Sequence, residues 1–213
     1  MALNGINVRI KRGEFVFVVG PSGAGKSTFI KLMYREAKPT KGSIYIDGTN
    51  LSEVKERHIP LLRRKIGVVF QDFKLLPKLT VYENVAFALE VIEERPVMIR
   101  KKVMEVLDLV KLKNKARFLP AELSGGEEQR VSIARSIVNN PSVVVADEPT
   151  GNLDPDTAWS IMETLEDINA RGTTVIMATH NKEIVDKSKK RVIAVEDGRI
   201  VRDERKGEYG YEG

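Results

Sequence analysis

The clearest chemistry in the chain sits in the run Gly20, Pro21, Ser22, Gly23, Ala24, Gly25, Lys26, Ser27 and Thr28. Its order fits the pattern G-x-x-x-x-G-K-[ST], whose glycines let the backbone curl until several N–H groups point at one anion. A short apolar run, Phe15 to Val19, comes just before it, and a segment of helical period, Lys26 to Arg35, opens from it. That context is the one the mechanism needs, because the positive end of a helix adds to the attraction for phosphate. Lys26 has the reach for the β- and γ-phosphates of a nucleotide, and the Ser27 hydroxyl would complete a Mg2+ shell. ATP and Mg2+ are therefore the expected cofactors. A glycine-rich turn that matches by chance is the alternative, and the four fixed positions together with the strand and helix make it rare.

A second cluster ends the apolar run Val143 to Ala146 in two carboxylates, Asp147 and Glu148. Seen alone, an acidic pair at a strand end reads as a solvated turn. Beside a phosphate loop it reads as Asp147 in the metal shell and Glu148 as general base or water-orienting group. Pro149 disfavours helical geometry at residue 148, so Glu148 is expected to be extended into the site.

The string Leu123-Ser124-Gly125-Gly126-Glu127-Glu128-Gln129-Arg130 narrows the class. Ser124 and Glu127 form a capping box, and Val131, Ala134 and Val138 follow on one helix face. Capping explains Ser124 and Glu127 but not two consecutive glycines, which weaken a helix start. Bare backbone open to a phosphate would explain them. This string resembles the signature of the ATP-binding-cassette (ABC) ATPases, which typically reads LSGGQ, with Glu127 at its final position.

The resemblance runs along the whole chain and implies a role for each residue that matches. Ser124, Gly125, Gly126 and Glu127 of one protomer would complete the nucleotide site of another in an ATP-driven homodimer. Gln71 would sense Mg2+ and the attacking water, and open the segment facing a membrane partner. Asp154, in Gly151-Asn152-Leu153-Asp154, would link the two sites, and His180 would contact the γ-phosphate. The family also carries an aromatic residue that stacks on adenine near the end of a first strand. That strand would precede Ala2, so this chain is expected to lack its adenine platform.

The short span from Gln71 to Ser124 leaves no room for the coiled coil of the chromosome and DNA-repair branch, and one phosphate loop argues against tandem translation factors. Lys31 to Glu36, Val69 to Lys78, Thr80 to Ala88 and Gly207 to Tyr211 closely resemble the bacterial cell-division branch of the family. That branch implies a polytopic inner-membrane partner, a place on the cytoplasmic face of that membrane at the division site, and control of peptidoglycan hydrolysis, with no transported substrate required. Lipoprotein-releasing or macrolide-exporting ATPases share Pro149 to Asp154 and are the alternative; a soluble DNA-associated cassette is a remoter one. Phe73, Leu75, Leu76 and Leu79 read equally well as docking surface or as core.

These groups need a scaffold, and the pattern supplies one. Short β-rich apolar runs alternate with helical segments, as in an α/β fold with a parallel sheet. Ser43 to Ile46 with the turn Asp47-Gly48, Ile66 to Phe70, Val143 to Ala146 and Val175 to Thr179 are the further strands expected, with a helix over Asp156 to Ala170. Val192 to Val195 and Ile200-Val201 close a hairpin through Asp197-Gly198. With the resemblance, this reads as a RecA-like P-loop NTPase core with an antiparallel β edge over residues 1–72 and 140–202. A helical subdomain fills 73–139, where Val103, Val106, Leu107 and Val110 repeat at helical spacing. The polar tail, 203–213, is disordered by default, with Tyr209 and Tyr211 as its only anchors.

At 213 residues and 42% hydrophobic content the chain can bury one full core. Its +5 charge is the small difference between 35 basic and 30 acidic residues, which fits a mixed solvated surface and gives no reason to expect nucleic acid. It has no cysteine, which excludes disulfides, thiolate metal sites and thiol nucleophiles. Its longest apolar runs fall far short of the roughly 20 residues that span a bilayer.

Overall fold

The run Phe15–Val19 forms strand β1 and is buried at every position, as a strand covered on both faces must be. The protein is described by a computed structural model covering residues 2–210; Tyr211, one of the two tail tyrosines, lies outside the described residues. After β1 comes helix α1, Lys26–Met33, and then a short antiparallel pair, β2 (Tyr45–Ile46) and β3 (Thr49–Asn50). Asp47 and Gly48 join that pair at φ 47° and 74°, the double positive turn that matches the twist of a two-residue hairpin. Helix α2, Ile59–Arg63, leads into β4, Ile66–Val69. Three helices come next with no strand between them: α3 (Val81–Glu90), α4 (Pro96–Leu109) and α5 (Gly125–Ile137). The chain returns to the sheet as β5 (Val143–Asp147), α6 (Pro155–Ala170), β6 (Thr174–Ala178) and α7 (Lys182–Ser188). It closes with β7 (Arg191–Glu196) and β8 (Arg199–Glu204).

The main sheet has the order β4-β5-β6-β1-β7-β8, parallel throughout except for the β7–β8 hairpin. Successive residues of β1 point to opposite faces. Phe15, Phe17 and Val19 join one apolar cluster with α3 to α7, whereas Val16 and Val18 join a second with Phe29, Ile30, Leu51 and Leu62 on the other face. The buried residues of α3, α4 and α5 thus belong to the same cluster as the sheet face beneath them.

Close approach of α5 to β4 sets the position of the signature helix. A Cβ on Gly67 of β4 would lie 2.5 Å from the carbonyl oxygen of Ser136. The tail departs from the disorder read from its polarity: β8 runs through Glu204, and Tyr209 is half-buried against the larger cluster. One aromatic ring and the hairpin hydrogen bonds outweigh a polar composition here.

Gly67→Ala is expected to force α5 away from the sheet and destabilise the fold by about 1–3 kcal/mol, seen as a fall in melting temperature of roughly 2–12 °C for a chain of this size.

Candidate active site

The phosphate loop leaves β1 through Gly20, Gly23 and Gly25, at φ 147°, 78° and 108°, conformations that glycine adopts without penalty. Gly20 is also the point of tightest approach, because a Cβ there would sit 2.1 Å from the carbonyl oxygen of Val195 in β7. Pro21, Ser22 and Gly23 are exposed at the tip, Ala24 is buried beneath it, and Thr28 is half-buried in the first turn of α1. Ala2 and Leu3 lie against Gly25. The Lys26 side chain, only 8% exposed, curls back inside the loop. Its ammonium donates to the carbonyls of Gly20 (2.7 Å) and Pro21 (2.9 Å).

Ser27 Oγ donates to Asp147 Oδ1 at 3.2 Å, joining residues far apart in the chain at one edge of the sheet. Burial, reinforced by the neighbouring Glu148 carboxylate, pushes the Asp147 carboxyl above its usual range. A hydroxyl and a carboxylate oxygen suit a hard cation such as Mg2+, which keeps few protein ligands and takes the rest from phosphate and water. The residues present therefore fit that ion.

Glu148 is not extended. It sits at φ 50°, in the left-handed region, with its N–H on the Ala178 carbonyl (2.9 Å) and its own carbonyl accepting from Gly151 N (3.1 Å). Pro149 does disfavour right-handed helical geometry at residue 148, and Glu148 does not adopt it. The chain must nevertheless turn at once to make both bonds, and the left-handed region is what remains; such strain collects at functional sites. The side chain is 14% exposed, and its Oε2 accepts from His180 Nδ1 at 2.8 Å and from the His180 backbone N–H at 3.2 Å. That pairing puts the proton of a neutral imidazole on Nδ1 and leaves Nε2 as an acceptor turned elsewhere. Gln71 reaches the same place: a Cβ on Gly151 would have Gln71 Nε2 at 3.3 Å and Glu148 Cβ at 3.7 Å.

The signature residues form a second group. Ser124 caps α5, with Glu127 N–H on Ser124 Oγ and the Ser124 N–H on Glu127 Oε2. Glu127 also pairs with Lys115 at 2.5 Å, and this cation, with the Ser124 N–H, holds its carboxyl below the usual range. The two glycines differ in what demands them. A Cβ on Gly126 would strike the Thr157 methyl at 2.3 Å, so α6 requires that glycine, whereas a Cβ on Gly125 would make ordinary contact with Leu153 at 3.6 Å. Asp154 caps α6 by accepting from Thr157 N at 3.0 Å. Lys26, Ser27, Asp147, Glu148, His180 and Gln71 thus gather at one edge, and Ser124 to Glu127 gather with Leu153 and Thr157.

Two positioning residues were given no role by the sequence, although Asn84 falls within the stretch Thr80 to Ala88. Arg135 of α5 donates to the carbonyls of Phe73 (2.9 Å) and Lys74 (2.7 Å), consecutive residues in the left-handed region at φ 55° and 52°. Its guanidinium thereby holds the bend just after Gln71, and burial lowers its pKa. Fully buried Asn84 accepts from Leu76 N and donates to the carbonyls of Leu76, Leu79 and Thr80. The only signal for either was a basic residue and an amide inside apolar helical runs. Between these clamps Phe73, Leu75, Leu76 and Leu79 are each half-buried, and Leu75 packs against the larger apolar cluster.

Comparison with known proteins adds to this geometry. The family model described as ABC transporter matches residues 3–151. The cell division ATP-binding protein FtsE of Bacillus subtilis (strain 168) is 75% identical over 209 residues, covering 98% of this chain and 92% of that protein. The protein of the same name from Streptococcus pneumoniae serotype 2 is 63% identical over 211 residues, covering 99% and 92%. Among solved structures, a dimeric, post-hydrolysis state of the ATP-binding cassette MJ0796 bound to ADP and Pi superposes with a TM-score of 0.84 at 38% identity. The match covers 99% of this chain and 92% of that one.

The contrast between the two glycines can be measured on the isolated chain. Gly126→Ala is expected to cost about 1–3 kcal/mol in urea unfolding, and Gly125→Ala to stay within about 0.5 kcal/mol of the parent. Equal losses would mean that the α5–α6 contact does not discriminate between them.

Proposed function

Because the chain belongs to the ABC transporter family of ATP-hydrolysing cassettes, we propose that it is the ATPase subunit of a bacterial cell-division complex, coupled to an FtsX-type polytopic membrane protein. The observation that carries this reading is the end-to-end likeness to division ATPases, which includes the segment after Gln71 and the tail. No helix among the described residues is long and apolar enough to cross a membrane. Contact with the membrane therefore falls to a partner, and the half-exposed Phe73 to Leu79 segment beside Gln71 is the surface we assign to it. The complex would sit on the cytoplasmic face of the inner membrane at the septum and regulate peptidoglycan hydrolysis beyond it.

The chemistry comes from the side chains. Lys26, released from its loop carbonyls, meets the phosphates, and the loop N–H groups hold them. Mg2+, when bound, would neutralise developing phosphate charge, with Ser27, Asp147 and Gln71 as its protein-side holders. Glu148 takes the proton of the attacking water or orients it. His180 keeps that carboxylate in place through Nδ1, and its Nε2 would contact the γ-phosphate as a donor once that nitrogen also carries a proton. Ser124, Gly125 and Gly126 of a second copy would close the site, which gives Gly125 the role that its own chain does not demand. Glu127, tied to Lys115 and the helix start, would shape that edge rather than touch phosphate, and Asp154 would hold the link between the sites.

Lys26→Ala is expected to lose ATP binding. Glu148→Gln should bind ATP, slow turnover by at least about 100-fold and accumulate as a dimer in gel filtration with Mg-ATP. Glu148→Gln isolated from membranes should carry the FtsX-type protein with it; recovery of a lipoprotein-release permease in its place would overturn the division reading.

A further inference from the structure

The ending Gly207-Glu208-Tyr209-Gly210 has no part in the chemistry above, yet the fold anchors it with care. Gly207 donates its N–H to the Lys190 carbonyl (3.1 Å) and passes so close to β7 that a Cβ there would lie 2.7 Å from Val192 Cβ. Arg202 of β8 gathers the next three carbonyls, donating to those of Glu208 (2.5 Å), Tyr209 (3.0 Å) and Gly210 (3.0 Å). The Tyr209 N–H donates to Asp186 Oδ1 of α7 at 2.6 Å, and the ring packs against the larger apolar cluster. So held, the Tyr209 hydroxyl points at the phosphate loop and stands 3.4 Å from the Gly20 carbonyl oxygen, which also accepts from Lys26. At 3.4 Å this is a long O–H···O bond, a contact poised rather than closed.

Donor arithmetic gives that contact a use. The Lys26 ammonium has three N–H donors, and two are directed at the carbonyls of Gly20 and Pro21. Meeting both a β- and a γ-phosphate oxygen takes two donors, so at least one loop carbonyl must release its bond when nucleotide binds. Gly20 is buried, and a buried carbonyl left without a partner is costly. We propose that Tyr209 is a positioning residue for the phosphate loop: its hydroxyl takes over the Gly20 carbonyl when Lys26 turns to the phosphates. Burial, and after it the Glu148 carboxylate, push the Tyr209 hydroxyl upward in pKa, so it stays protonated and able to donate. The tail is then part of the nucleotide site, acting through the loop. This inference rests on the ATPase reading and not on the division assignment.

The test uses the full chain without a membrane partner. Tyr209→Phe keeps the ring and removes only the donor. The melting temperature without nucleotide should stay within about 2 °C of the parent, while the Kd for Mg-ATP and for ADP rises about three- to tenfold, the range of one neutral hydrogen bond. Asp186→Asn, which alters the tail's anchor and no loop atom, should shift both constants the same way by less. Unchanged Kd values in Tyr209→Phe, or an equal loss of stability with and without nucleotide, would reduce Tyr209 to a packing residue and overturn the proposal. Loss of nucleotide binding in the parent chain would instead strike at the ATPase reading itself.

Discussion

Parallel pairing of β4, β5, β6 and β1 is the constraint on which the rest of the molecule depends. Parallel strands all end at the same edge, and a ligand site in such a sheet forms in the crevice outside those ends. Gly20 follows β1, Gln71 follows β4, Asp147 closes β5 and His180 follows β6. Antiparallel pairing of these short apolar runs would send neighbouring strand ends to opposite edges and separate the four. Two apolar layers hold the sheet in place, one shared with α1 and α2 and the other with α3 to α7. The cost of assembling scattered polar groups is thus met by burial elsewhere.

At that edge the backbone is bent hard, and each bend is fastened. Glu148 at φ 50° is fixed by bonds to Ala178 and Gly151, and its side chain by His180. Phe73 and Lys74, at φ 55° and 52°, are fixed by the guanidinium of Arg135. Gly20 is fixed by contact with β7 and by the Lys26 ammonium. Strained positions of this kind persist only where the surroundings over-determine them. Arg135 has a further consequence, because it belongs to the helix that Ser124 caps. The segment after Gln71 and the signature residues are in this way both tied to one helix.

The two glycines of the signature differ in what the fold of this chain demands of them. Gly126 is shaped by Thr157 of its own chain, and Gly125 meets nothing closer than an ordinary van der Waals neighbour. A half-buried glycine with only ordinary neighbours, at a helix start, leaves backbone N–H groups with the positive end of the helix behind them.

Much of this was legible in the residues themselves. The spacing of Gly20, Gly25, Lys26 and Ser27, the carboxylates at the end of Val143 to Ala146, and the run Leu123 to Arg130 are local patterns, and local patterns survive in a linear sequence. The alternation of strands with helices likewise identified an α/β sheet, with boundaries displaced by one to three residues. Tertiary structure alone decided the turn of Glu148 into the left-handed region, the role of Arg135 under Phe73 and Lys74, the differing demands on Gly125 and Gly126, and the seating of Tyr209. Each of these depends on an atom contributed from a distant part of the chain: Ala178 for Glu148, Thr157 for Gly126, Asp186 and Arg202 for Tyr209. Propensity and periodicity describe what a residue prefers among its neighbours in sequence, while close contacts and hydrogen-bond partners are set by neighbours in space, and only the packed sheet brings those together.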